Sequence, residues 1–104
     1  MTRLQVLTAL TLQVQIMRET RAGDALADLL TLAYPDDPPF PELGFGDGLN
    51  VIRSQIEMLI NSWQRVGRLN LPGATPYREA ALAAAFVLGR AEEAAVSNQT
   101  RSSL

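Results

Sequence analysis

The 104-residue chain has the length of one domain and, with 47% hydrophobic and 19% charged residues, enough apolar content to fold rather than stay globally disordered. A net charge of −2 and a pI near 5.0 argue against a generic nucleic-acid binder, which would show a basic excess. Neither cysteine nor histidine is present, which removes disulfides, thiolate nucleophiles, the commonest general base and the commonest zinc ligands together.

Segment 4–20 carries two patterns at once. Leu10, Leu12, Val14 and Ile16 alternate with Thr11, Gln13 and Gln15, as in a half-buried strand. Leu7, Leu10, Val14 and Met17 step by three and four, as in a helix with Thr8, Thr11, Gln15, Arg18 and Glu19 on the far side. Length without Gly or Pro, and the lack of a partner strand to satisfy the backbone, favour the helix. The first residues superficially resemble a signal peptide, but glutamines dilute the apolar centre and no small-residue cleavage site follows; a cytoplasmic location is expected. No apolar run reaches the roughly 20 residues of a membrane span.

Arg21–Gly23 is predicted as a short break, with Asp24 capping a second helix through Ala33 whose buried stripe is Leu26, Leu29, Leu30 and Ala33. Pro35 ends it. Residues 35–48 hold four prolines and three glycines, which predicts a long Pro/Gly-rich acidic loop. A third helix over about 49–67 follows from Ile52, Ile56, Leu59, Trp63 and Val66, with Gly67 as terminator. Thr75 and Pro76 predict the cap and first residue of a fourth helix to about Val96. On it, Ala81, Ala85 and Gly89 leave a shallow groove beside a stripe of Tyr77, Ala84, Leu88 and Ala91. The expected fold is therefore all-α, a bundle of about four helices forming one domain over residues 1–96, with 97–104 as a flexible polar tail.

Three groups of residues bear on function. Asp36, Asp37, Glu42 and Asp47 cluster in the 35–48 loop; their spacing matches no EF-hand, so a solvated loop is preferred to a metal site, with Asp47 helping the next helix start. Phe40 and Phe45 in the same loop either pack beneath it or anchor a partner, with Asp36, Asp37 and Glu42 around them. Arg53, Arg65, Arg68 and Arg78 make residues 49–80 locally basic, and Arg53 stands one helical turn from Glu57. These arginines are read as a solvated face or a contact with the acidic loop, in preference to a nucleic-acid or anion site.

A helix-turn-helix reading would make 75–90 the recognition helix, but it offers mostly alanine beside Arg78 and Arg90. Arg53, Glu57, Gln64 and Arg68 could converge in the cleft of a small helical enzyme, yet no catalytic motif is present. The expectation is a non-enzymatic protein–protein interaction module, such as an adaptor, chaperone or inhibitor, that works without a cofactor or metal. Its partner is another protein or a second copy in a homodimer, since the first helix is apolar around more than half its circumference. A dimeric DNA-binding regulator and a small helical enzyme are the alternatives.

Overall fold

The computed structural model describes the backbone of residues 1–102 and the side chains of residues 1–97. Four helices, α1 (Arg3–Ile16), α2 (Arg21–Ala33), α3 (Leu49–Gly67) and α4 (Thr75–Ser102), with a single 3-10 turn at Pro72–Ala74, pack into one bundle with no strand among the described residues. None of the described helices is long and apolar enough to cross a membrane.

The amino-terminal ambiguity resolves as helix. A capping box starts α1: the Thr2 hydroxyl accepts from the Gln5 backbone N–H (3.1 Å), and the Gln5 side chain accepts from the Thr2 N–H (2.8 Å). The helix is shorter than its apolar pattern, because Glu19 enters the left-handed region (φ 69°) and reverses the chain. Arg21–Gly23 is then the first turn of α2 and not a break. Thr20, rather than Asp24, is the cap, its hydroxyl accepting from the Gly23 N–H at 3.1 Å. Asp24 instead lies inside the first turn, where its charge favours the positive end of the helix. A side chain at Gly23 would run into the Met17 carbonyl, so glycine sets how closely the turn can fold onto α2.

The core is built from Val6, Leu10 and Val14 of α1, Leu26, Leu29 and Leu30 of α2, Ile52, Ile56 and Trp63 of α3, and Val87 of α4. Between them stand Ala80, Ala83, Ala84 and Ala91, all buried. Small residues on its inner side let α4 lie close to α1, α2 and α3 together, and it packs against all three. On α3 the buried seam is Ile52, Ile56, Ile60, Trp63 and Gly67. The expected Leu59 and Val66 fall at its edge, half-buried and exposed respectively. The 3.6-residue turn of a straight helix drifts off a strict seven-residue repeat, which moves the seam from Leu59 to Ile60.

Two terminal assignments change with tertiary packing. Gly67 does not adopt a left-handed conformation; it is buried under the Arg78 side chain, whose Nη1 donates to the Gly67 carbonyl at 2.8 Å. Thr75 already has helical dihedrals (φ −56°, ψ −46°), so it is no cap, and its hydroxyl accepts from the Arg78 guanidinium at 2.9 Å. The chain enters α4 through the 3-10 turn. At its other end α4 continues to Ser102, past the expected stop at Val96, so residues 97–102 of the expected tail are helical in backbone. Residues 103 and 104 lie outside the described part.

Helix directions alternate. Arg53 pairs with Glu92 (Nη2 to Oε1, 3.5 Å) while Gly67 meets Arg78, so α3 and α4 are antiparallel. The Gln55 amide, oriented to satisfy both its ends, donates to the Arg21 carbonyl (3.1 Å) and accepts from the Arg21 guanidinium (2.6 Å), placing the start of α2 beside the middle of α3.

Candidate functional site

The connection from Tyr34 to Gly48 is tied to the bundle by a residue outside it. Asp28, on α2 and only 4% exposed, accepts from three successive backbone N–H groups: Phe45 at 3.2 Å, Gly46 at 2.8 Å and Asp47 at 3.3 Å. Converging N–H groups form an anion-holding nest, here filled by the protein's own carboxylate. Gly44 has φ +89°, and a side chain there would collide with Asp28. Asp47 therefore serves the start of α3 through its backbone N–H, and Gly48, the cap of α3, makes no side-chain capping bond.

That anchor separates the two loop phenylalanines. Phe40 is half-buried and packs against the core with Leu43, whereas Phe45 is 70% exposed. Asp36, Asp37 and Glu42 all face solvent. Among the described residues no group of three carboxylates is placed to hold a metal ion.

The cation that meets this segment is Arg3, which the sequence did not single out. Its Nη2 donates to the Asp37 carbonyl (3.0 Å) and lies 3.4 Å from the Asp37 carboxylate. Tyr34, buried at the end of α2, sits between two guanidinium groups, Arg3 at 5.7 Å and Arg90 at 4.5 Å from the ring centroid. Arg90 Nε also donates to the Ala33 carbonyl at 2.9 Å, a cation at the negative end of α2.

The arginines expected to act together are spread along α3. Arg53 is held by Glu92 rather than by Glu57. Arg65, Arg68 and Arg78 lie at the opposite end from the acidic segment, so the expected contact between them does not form. Arg78 is occupied by Gly67 and Thr75; Arg68 borders a groove with Gln64, Arg78, Ala81 and Leu82. Arg53, Glu57 and Gln64 are exposed, and they do not converge: Arg53 lines a hollow with Glu92, and Gln64 lines the distant groove just described.

An apolar surface lies on the outer sides of α1 and α4. Leu4, Thr8, Leu12 and Ile16 recur every four residues and all face outward, Leu4 at 75% exposure. On α4, Leu82 is 68% exposed, and Ala85, Phe86 and Gly89 continue outward on the same side. Between the helices a groove of about 480 Å³ is lined by Met1, Leu4, Gln5, Thr8, Ala9, Glu79 and Leu82. Leu82 thus forms a ridge between this groove and the one beside Arg68. Of the small-residue line, Ala81 is buried inside the bundle, while Ala85 and Gly89 are open, and nothing lies within 4 Å of where a Gly89 side chain would begin. The apolar circumference of α1 was the sequence signal for this surface; the exposure of Leu82 and Phe86 had none, because their spacing is equally that of a buried stripe.

Compared with known proteins, the chain matches no protein-family model, no curated protein and no solved structure.

Proposed function

We propose that the chain is a non-enzymatic protein–protein interaction module whose docking surface is the outer face of α1 and α4. The observation that carries this reading is the pair Leu4 and Leu82, each more than two-thirds exposed on either side of one apolar groove. Scattered exposed leucines are ordinary; leucines that share a groove across two helices, with Leu12, Ile16 and Phe86 also exposed on the same helices, are the kind of apolar surface that marks an interface. Polar groups border it at Gln5, Thr8 and Glu79, which supplies the wettable rim of a docking site.

The loop is the lesser surface. Phe40 is committed to the core, which leaves Phe45 as a lone ring, and its backbone is held by Asp28. The expected partner contacts at Asp36, Asp37 and Glu42 thereby lose one of their two aromatic anchors.

The test is capture of partners from the native host with the wild-type chain and with the double variant Leu4→Glu, Leu82→Glu. Both positions are exposed, so the variant keeps its helical circular dichroism. Loss of at least ~90% of the wild-type capture, equivalent to more than about 1.4 kcal/mol, supports the reading. Equal capture by the two chains overturns it.

A further inference from the structure

Taking the α1–α4 face as the docking surface, we infer that its occupant is a second copy of this chain, with the two α4 helices antiparallel across a two-fold axis. The argument comes from the order of residues along the outer side of α4. Arg78, Leu82, Ala85, Phe86, Gly89 and Glu93 are all exposed. Their order is complementary to its own reverse. In an antiparallel pair centred between Ala85 and Phe86, Arg78 falls opposite Glu93, Leu82 opposite Gly89, and Ala85 opposite Phe86. Each large apolar side chain meets a small one, and each charged end meets its opposite.

A two-fold axis makes a self-complementary interface of this kind, the commonest in soluble oligomers. A parallel arrangement would set Arg78 against Arg78 and Glu93 against Glu93, which costs attraction at both ends. Charge around the face agrees with the antiparallel choice. Arg68 stands in the groove beside Arg78 and Leu82 with no ion-pair partner among the described residues, so the basic end has a free cation as well as one bound to Gly67. At the other end Glu93 is likewise unpaired among the described residues, next to Gly89. Glu79 would face Glu92, but the Glu92 charge is already met by Arg53 at 3.5 Å. The groove holding Met1 and Leu4 flanks the α4 stripe and adds apolar area toward the roughly 800 Å² per partner that a stable dimer buries.

Sedimentation velocity on the full chain tests this, with circular dichroism as a control for folding. The wild type is expected to be dimeric at micromolar concentration. Gly89→Arg, which meets open space within one chain, should raise the dimer dissociation constant at least tenfold without loss of helix. Glu93→Arg and Arg78→Glu should each weaken the dimer severalfold, and the double variant should recover most of the loss, because the pairs of residues 78 and 93 re-form with reversed sign. A chain that is monomeric up to ~100 μM overturns the self-pairing. So does a dimer indifferent to Gly89→Arg, or single charge variants whose effects simply add. Face-dependent capture of another protein by a monomeric chain would leave the docking surface standing with a different occupant. A chain whose capture and assembly both ignore Leu4→Glu, Leu82→Glu would remove the docking surface itself.

Discussion

Phe40 and Phe45 show how little residue type says about role when two similar side chains share one connection. Phe40 packs on the core beside Leu43, while Phe45 points away because its backbone N–H is turned inward to Asp28. Their substitutions should therefore separate. Phe40→Ala is expected to lower stability by about 2 kcal/mol, less than the 3–5 typical of a fully buried ring. Phe45→Ala should stay within about 0.5 kcal/mol of wild type. Urea denaturation of the two variants checks this, and equal losses would mean that Phe45 is packed. Tyr34 makes the same point from the other side: its ring is useful because Arg3 and Arg90, distant in sequence, stack on it from two helices.

Among the elements, the connection between α2 and α3 depends most on a single group. The Asp28 carboxylate holds three backbone N–H groups that precede α3, so it does for that connection what a capping side chain does for a helix end. Replacing Asp28 by Asn keeps the shape but substitutes an N–H donor for one acceptor oxygen, facing donors that then go unanswered. A loss of about 2 kcal/mol follows, and with it a fall in Tm of roughly 10 °C for a chain of this size. Calorimetry showing an unchanged Tm would mean that the three bonds carry no net stability. Helix boundaries were the least legible feature at this scale. The limit of α1 is set by one left-handed residue, Glu19, which no composition rule marks. The role of Gly67 comes from the nearness of Arg78 on another helix rather than from its own freedom. By contrast, the T-x-x-Q box at Thr2–Gln5 was present in the sequence as a start signal and could have been read from it.

For the whole molecule, α4 packs on each of the other three helices, and its buried alanines set it into the core that all four share. Unfolding should accordingly be one cooperative event. Loss of helical circular dichroism and the fluorescence change of Trp63, buried in the α3 seam, are expected to coincide in denaturant. Separated midpoints would show that part of the bundle melts alone. Self-association of the folded chain would add a concentration dependence to that single transition without splitting it.

What the residues determined by themselves was the class of fold and the broad chemistry it lacks. Apolar side chains at helical spacing can be satisfied by a bundle without a partner strand, and a chain without cysteine or histidine lacks those ligands and nucleophiles however it folds. Both conclusions depend on local periodicity and composition, which are properties of the chain alone. Which apolar stripes are covered was decided only in three dimensions. Leu4, Leu12 and Leu82 have the same spacing as core leucines, and whether such a side chain is buried depends on where the neighbouring helix lies, a distance the sequence does not carry. The same holds for Asp28 and Arg90, whose partners stand 17 to 19 and 57 residues away and become neighbours only when the helices pack.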